Sequence, residues 1–240
     1  MQDQVYRKSQ SHIVDFAFTA EVADVFPDMI RRSVPGYETV IPMTGLIAAR
    51  HLGADGRAFD LGCSLGATTQ AILSQNDSPH IRVTGMDNSA PMIERATELN
   101  QDSRATFVLA DAQDTATHAQ LEGANVILLN FVLQFFEPVT RLDTLRSLRT
   151  HMADDGLLLV SEKVKHSEAS THALFDQTHL AWKQANGYSE LEISQKRSAL
   201  ENVMRVDTIE AHQQRFIEAG FSRVIQWYQC MNWASFLVYP

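Results

Sequence analysis

The chain has only two cysteines, Cys63 and Cys230, in 240 residues. That is too few for a disulfide framework or a cysteine-rich zinc site, so both are expected as free thiols in a reducing cytoplasm. No apolar run reaches membrane-spanning length. Arg7 and Lys8 precede an apolar stretch that Asp15 and Glu21 interrupt, so no signal peptide is read. Positive charge is scarce: 20 Lys and Arg stand against 29 Asp and Glu, a net charge of −9. Broad contact with a phosphate backbone needs clustered cations, so direct action on nucleic acid is disfavoured. The nine histidines show no metal-ligand spacing and are read as surface or packed residues. Internal repeats and low-complexity segments are missing too. What remains, 45% hydrophobic and 20% charged, suits one large α/β domain, or one with an insertion.

The informative stretch is Ala58-Phe59-Asp60-Leu61-Gly62-Cys63-Ser64-Leu65-Gly66. It reads as a short buried strand that ends at an acid and breaks into a Gly-containing turn, with a helix from Ala67 to Ser74. Strand, tight turn and helix in that order open a nucleotide-binding α/β unit, although a Gly turn after an apolar run is also an ordinary loop. Strand two is Arg82 to Met86, ended by Asp87, 25 residues after Gly62. An acid at about that distance binds ribose hydroxyls in dinucleotide folds; the competing role is a helix cap, since Asn88-Ser89 and Pro91 open a helix there. Strand three, Thr106 to Leu109, ends at Asp111-Ala112, and strand four, Asn125 to Leu129, ends at Asn130-Phe131. Continuous apolar runs suit strands buried on both faces. Ligands of an open parallel sheet bind outside the carboxyl ends of its strands, so Asp60, Asp87, Asp111 and Asn130 should line one edge.

Ahead of this lie two helices, Glu21 to Arg32 with Pro27 inside and Tyr37 to His51. They are joined by the Pro35-Gly36 turn and either cover the ligand or cap the sheet. Tyr37 is the residue placed to pack against a ligand. Beyond strand four come a helix from Arg141 to His151, a tight turn at Asp154-Asp155-Gly156 and strand five from Leu157 into Ser161-Glu162-Lys163. A helical interruption follows at about 164–205, in which Ser189-Glu190-Leu191-Glu192 is a capping box for a helix running to about Met204. Asp207 and Glu210 open the next helix. Phe221–Gln229 and Asn232–Tyr239 form an antiparallel pair at the sheet edge. Residues 1–18 lack periodicity and are expected as a mobile arm, with 19–240 as a single domain.

These residues together resemble the class I S-adenosylmethionine-dependent methyltransferases. The resemblance implies a Rossmann-like seven-stranded sheet with helices on both faces, the last strand antiparallel and a helical insertion after strand five. Ser64 stands where that superfamily usually has Gly, which places a hydroxyl beside the ligand. Five blocks are similar to a narrower family, carboxy-S-adenosyl-L-methionine synthase: 25–30 (VFPDMI), 32–37 (RSVPGY), 60–64 (DLGCS), 87–95 (DNSAPMIER) and 185–197 (ANGYSELEISQKR). The likeness runs from about Phe18 to the C-terminus.

The resemblance implies conversion of S-adenosylmethionine and prephenate to carboxy-S-adenosylmethionine and phenylpyruvate, without a metal. The product would feed a tRNA carboxymethyltransferase that modifies a wobble uridine. It also implies that Tyr37, Gly62, Cys63, Ser64, Asp87, Asn88, Asp111, Ala112 and Asn130 surround the adenosyl ligand, and that Arg197 of a homodimer neighbour meets the new carboxylate. A guanidinium makes sense there: it offers a planar donor pair to a carboxylate, and two unit charges about 4 Å apart attract by about 4 kcal/mol at an effective dielectric of 20. In the implied chemistry the hydroxide leaving prephenate takes a proton from the sulfonium methyl, and the carbanion traps carbon dioxide. The protein then has to position groups and exclude water. Arg31, Arg32 and Arg197 are candidate partners for the prephenate carboxylates. Two other readings share the cofactor residues: an ordinary small-molecule methyltransferase, and a non-catalytic cofactor-binding subunit of a tRNA-modifying complex.

Overall fold

The computed structural model describes residues 2–7 and 15–240. Its central feature is a sheet built from β1 (Arg57–Leu61), β2 (Arg82–Asp87), β3 (Ala105–Leu109), β4 (Ala124–Asn130), β5 (Met152–Lys165), β6 (Asp207–Thr208), β7 (Arg223–Cys230) and β8 (Trp233–Tyr239). The order is β3-β2-β1-β4-β5-β8-β7, with the two-residue β6 attached to the end of β5. Strands β1 to β5 run parallel, whereas β8 is antiparallel to both β5 and β7. The seven-stranded path matches the expected sheet, with the refinement that of the antiparallel pair β8 lies inside it and β7 forms the edge opposite β3.

The apolar runs split by alternation onto two faces, as period-two side chains must. Phe59, Leu61, Ile127, Leu129, Leu158 and Val160 pack with Leu145 and Leu148 of α6 (Arg141–His151) and Phe216 of α9 (Ile209–Glu218). Ala58, Val126, Leu128, Leu157 and Leu159 pack with α2 (Tyr37–Leu52) and α3 (Ala67–Leu73). The two helices lie so close that a Cβ on Gly45 would sit 2.5 Å from that of Ala71, so the contact requires glycine. The C-terminal half of α2 therefore caps the sheet. Its N-terminus and α1 (Ala20–Ser33) overhang the carboxyl edge instead; α1 runs through Pro27 without ending.

Three expectations are corrected. Asp154-Asp155-Gly156 is not a turn between elements. Met152 already pairs with Ala124 and Leu157 with Val126, so residues 153–156 bulge out opposite the single residue Asn125. Asp207 does not open α9: Thr208 is its N-cap, accepting from Ala211 N, and Asp207 pairs with Arg141 and Arg215. Arg141 is fully buried and also donates to the carbonyls of Phe136 (2.9 Å) and Arg205 (2.7 Å), which fastens the chain where it returns from the insertion.

The third correction concerns the arm. Residues 1 and 8–14 lie outside the described residues, but the rest of that segment is docked. Asp3 is 2% exposed. It accepts from the Tyr188 hydroxyl, its N–H donates to Asp28 at 2.7 Å, and Lys196 stands 3.8 Å from its carboxylate. Further on, Phe16 N–H donates to the Ala199 carbonyl (2.9 Å), and Phe18 accepts from the Ser89 hydroxyl (2.6 Å). The insertion is helical, as expected: α7 (Ala169–Ala185) and α8 (Glu190–Glu201), the latter with the Ser189/Glu192 capping box and ending at Glu201 rather than Met204. No helix among the described residues is long and apolar enough to cross a membrane.

Candidate active site

Strand order reverses between β1 and β4, and the crevice at such a switch point is where open α/β sheets bind ligands. A cavity of about 340 Å³ lies there. Tyr37, Gly62, Cys63, Ser64, Asp87, Asn88, Asp111, Ala112 and Asn130 all line it, as does Asp60. The remaining site candidate, Arg197, does not: it is exposed on α8, in a smaller neighbouring pocket. Lys163, His179, Lys183, Leu200 and Met204 form the wall between the two.

The turn after β1 is held open by backbone geometry. Gly62 has φ +68° and a Cβ there would meet Val132 at 2.6 Å, so no other residue fits. Ser64 has φ +51°, in the left-handed region that costs a side-chain-bearing residue about 1–2 kcal/mol, which accounts physically for glycine being usual at this place. Its N–H donates to Asp87 at 2.9 Å. Its hydroxyl points to the Met92 sulfur (3.5 Å), so it is turned partly away from the cavity. Asp87 also accepts from Ser89 N–H at 2.9 Å, while the Ser89 hydroxyl caps α4 (Ala90–Leu99). Asp87 is thus not the cap; it stands just before it. Burial raises the Asp87 pKa against the pull of these two N–H groups. Burial likewise pushes Asp60, held by Thr69 at 2.9 Å, up to about 7 and Tyr37 up to about 12. It drives the Cys63 thiol far above its ordinary range, so this sulfur is not a nucleophile.

Phe131, directly after β4, has φ +64°. This second strained residue of the cavity wall is locked by Glu162, one of the side chains that sequence reasoning left without a role. The Glu162 carboxylate is fully buried and accepts from the N–H groups of Val132 (3.0 Å), Leu133 (2.8 Å) and Gln134 (3.1 Å). Burial pushes its pKa up to about 8 although every one of these donors favours the ionised form. Backbone strain at a ligand-binding wall, clamped from behind, is typical of functional sites. Asn130 donates to Thr68 at 3.1 Å, while its Oδ1 is buried with no donor among the described residues.

Aromatic rings cover the cavity: Phe18 meets Phe26 and Phe135 at 6.2 and 5.7 Å between centroids. Under them lies a cationic wall that the sequence did not disclose, formed by Lys163, Lys183 and Lys196. Burial lowers all three ammonium pKa values, Lys183 to about 7 and Lys196 to about 8. His179, one of the histidines read as surface or packed, also lines the cavity. It donates from Nε2 to the Ser33 carbonyl (2.9 Å), and burial holds it neutral, near 3. Arg31 lines the cavity from an exposed position, paired with Glu38 at 3.6 Å. Arg32 is engaged elsewhere. It is buried against the Tyr188 ring (3.9 Å), paired with Asp28 (3.0 Å) and donating to the Asn186 carbonyl (2.7 Å), so it is not a substrate contact.

Comparison with known proteins follows the same lines. A family model described as a methyltransferase domain matches residues 59–158. A protein of Pseudomonas paraeruginosa named carboxy-S-adenosyl-L-methionine synthase is 45% identical over 99% of this chain and 96% of its own length. A protein of the same name from Pseudomonas aeruginosa is 44% identical over 99% and 98%. Among solved structures, an O-methyltransferase family protein from Burkholderia thailandensis superposes with a TM-score of 0.68 at 14% identity over 92% of this chain. This chain spans 60% of that structure's length. The structural likeness shows the fold, a class I methyltransferase sheet.

Proposed function

The chain belongs to the carboxy-S-adenosyl-L-methionine synthase family, and from that premise we propose that it converts S-adenosylmethionine and prephenate to carboxy-S-adenosylmethionine and phenylpyruvate. The observation that carries the reading is one cavity with carboxylates at one end and ammonium groups at the other. A methyl transfer to a neutral acceptor gives no use to the second set. Asp87 and Asp111 belong to the β2–β3 side of the sheet and Lys163 to β5, with β1 and β4 between. From β2 to β5 is three strand spacings, roughly 14 Å, which leaves room for an adenosyl group and a second small molecule.

The residues present fit an adenosyl sulfonium ligand. Each Asp87 oxygen accepts one backbone N–H and has a further lone pair for a ribose hydroxyl. The buried, donorless Asn130 Oδ1 suits the ligand's ammonium group. Gly62 leaves the backbone bare where a ligand approaches. Bound there, S-adenosylmethionine would supply an acidic methyl carbon. The chain's own part is to hold that carbon beside the second substrate and to keep water out under Phe16, Phe18, Phe26 and Phe135, which line the cavity. Loss of the ring carboxylate and hydroxide from prephenate balances the reaction: carbon dioxide goes to the methyl carbon, and the proton removed from it leaves as water with the hydroxide.

In this reading the protein works as a cytoplasmic homodimer. The exposed Arg197 of one chain reaches the other chain's cavity to pair with the product carboxylate, and the product passes to a tRNA carboxymethyltransferase. Mass spectrometry after incubation with both substrates tests the reaction. Equal amounts of a carboxylated sulfonium and phenylpyruvate are expected. S-adenosylhomocysteine in their place would show an ordinary methyltransferase, and binding without turnover a cofactor-holding subunit.

A further inference from the structure

We infer that Lys163 and Lys183, backed by Lys196, form the subsite that takes the two carboxylates of a small dianionic co-substrate. This rests on the reaction proposed above and adds to it the residues that select the second substrate.

Two of these ammonium groups lack a counter-ion among the described residues. Among the described residues neither Lys163 nor Lys183 has a carboxylate within the 4.0 Å of an ion pair, whereas Lys196 has Asp3 at 3.8 Å and donates to the Ser33 hydroxyl at 2.9 Å. Lys163 instead stands 5.6 Å over the Trp233 ring. All three line the cavity. They come from separate elements, β5, α7 and α8, so no helical or strand spacing gathers them; only the fold does. Unpaired ammonium groups in a half-buried wall are costly and are kept out of cores. Two of them side by side at a ligand cavity make a site for two negative charges.

The surroundings sharpen the choice. Facing the cluster are His179 and Asp176 on α7, Arg197 on α8, Asp3 at the N-terminus, and Arg32 and Asp28 on α1. His179 is neutral, Asp3 serves Lys196, and Asp28 serves Arg32. Asp176 remains the one carboxylate felt by both Lys163 and Lys183, and Arg197 opposes it. With Lys183 protonated, the wall is therefore left with a net positive charge that a dianion neutralises and a monoanion does not. Because Lys183 titrates near 7 when the cavity holds no anion, binding a dianion above that pH draws in a proton.

The test is calorimetry of phenylsuccinate, a non-reacting dianion, with the protein saturated in S-adenosylhomocysteine, at about pH 8 in two buffers of different ionisation enthalpy. The wild-type protein is expected to bind it at least about tenfold more tightly than 3-phenylpropionate, its monoanionic counterpart, and to take up a proton. Lys163→Met and Lys183→Met should each weaken phenylsuccinate about tenfold or more. Lys183→Arg should restore most of the loss, with nucleoside affinity unchanged throughout. Four results would overturn the assignment: equal or no binding of the two acids, no proton uptake, Met variants that bind like wild type, or nucleoside affinity lost in step. Proton uptake is read on the wild type, so it decides the matter even if a variant fails to fold. Prephenate turnover by wild type is scored separately. Lysine-dependent phenylsuccinate binding without turnover would defeat the proposed reaction and keep the subsite; turnover with lysine-independent binding would do the reverse.

Discussion

A lysine held for a ligand should burden the fold that carries it, and Lys183→Met measures that burden. In the native chain the ammonium pKa falls from 10.5 to about 7, first because of burial and then through repulsion by Lys196, Lys163 and Arg197. Each pK unit corresponds to ~1.36 kcal/mol, so keeping the group charged costs on the order of 4–5 kcal/mol. Lys183 is only half-buried, and water at the cavity mouth reduces the realised penalty to about half. Methionine keeps the unbranched shape without the charge. At pH 6 the variant should therefore be more stable by ~2 kcal/mol, a rise of about 4–8 °C in the unfolding midpoint for a chain of this size. The sign with pH follows from proton counting. Between about 7 and 10.5 the unfolded chain holds a proton that the native lysine has lost, so wild-type stability climbs with pH across that window. The advantage of the variant is largest below pH 7 and fades as pH rises towards 10.5. Thermal unfolding scanned at several pH values checks this. An unchanged or lowered midpoint at pH 6 would refute the idea that the wall stores unfavourable charge.

Glu162→Gln turns an amide N–H₂ towards backbone N–H groups that now have an acceptor; the loss should be ~1–3 kcal/mol in denaturant unfolding, with weaker S-adenosylmethionine binding because the Phe131 wall loosens. Ser64→Gly relieves a left-handed backbone at φ +51° but adds chain entropy to the unfolded state. The net gain should be about 0–1 kcal/mol, with ligand affinity retained; a tenfold loss of affinity would mean that the hydroxyl, here turned to Met92, contacts the ligand after all. Arg197→Ala and Asp87→Ala should each abolish carboxylation, yet an equimolar mixture of the two, dissociated and re-dimerised at random, should recover about a quarter of wild-type activity if Arg197 serves the opposite chain's site, and none if it serves its own.

The strand ends were legible because they obey a local rule. Runs such as Asn125 to Leu129 are short, apolar and bounded by polar residues, as strands buried on both faces are, and Asp87 and Asn130 follow from where those strands stop. The bulge at 153–156 was not, since Asp-Asp-Gly is the same chemistry whether it reverses the chain or swells out of a strand. The docking of Asp3 escaped for a different reason. A lone acid in a polar segment looks solvated until Tyr188, Lys196 and Arg32, all distant in sequence, are seen around it. Arg32 shows the converse, a plausible substrate contact already committed to Asp28 and Asn186. Lys163, Lys183 and Lys196 lie on separate elements, and nothing short of the tertiary fold brings their ammonium groups to one wall.

In the proposed reaction one cavity brings a sulfonium methyl and a decarboxylating dianion together. Prephenate carrying ¹³C in its ring carboxylate, given to the purified protein with S-adenosylmethionine, tests it most directly. The label is expected in the carboxymethyl group of the sulfonium product, one label per phenylpyruvate formed. Label released as free carbon dioxide, with the sulfonium unchanged or demethylated, would contradict the proposed reaction.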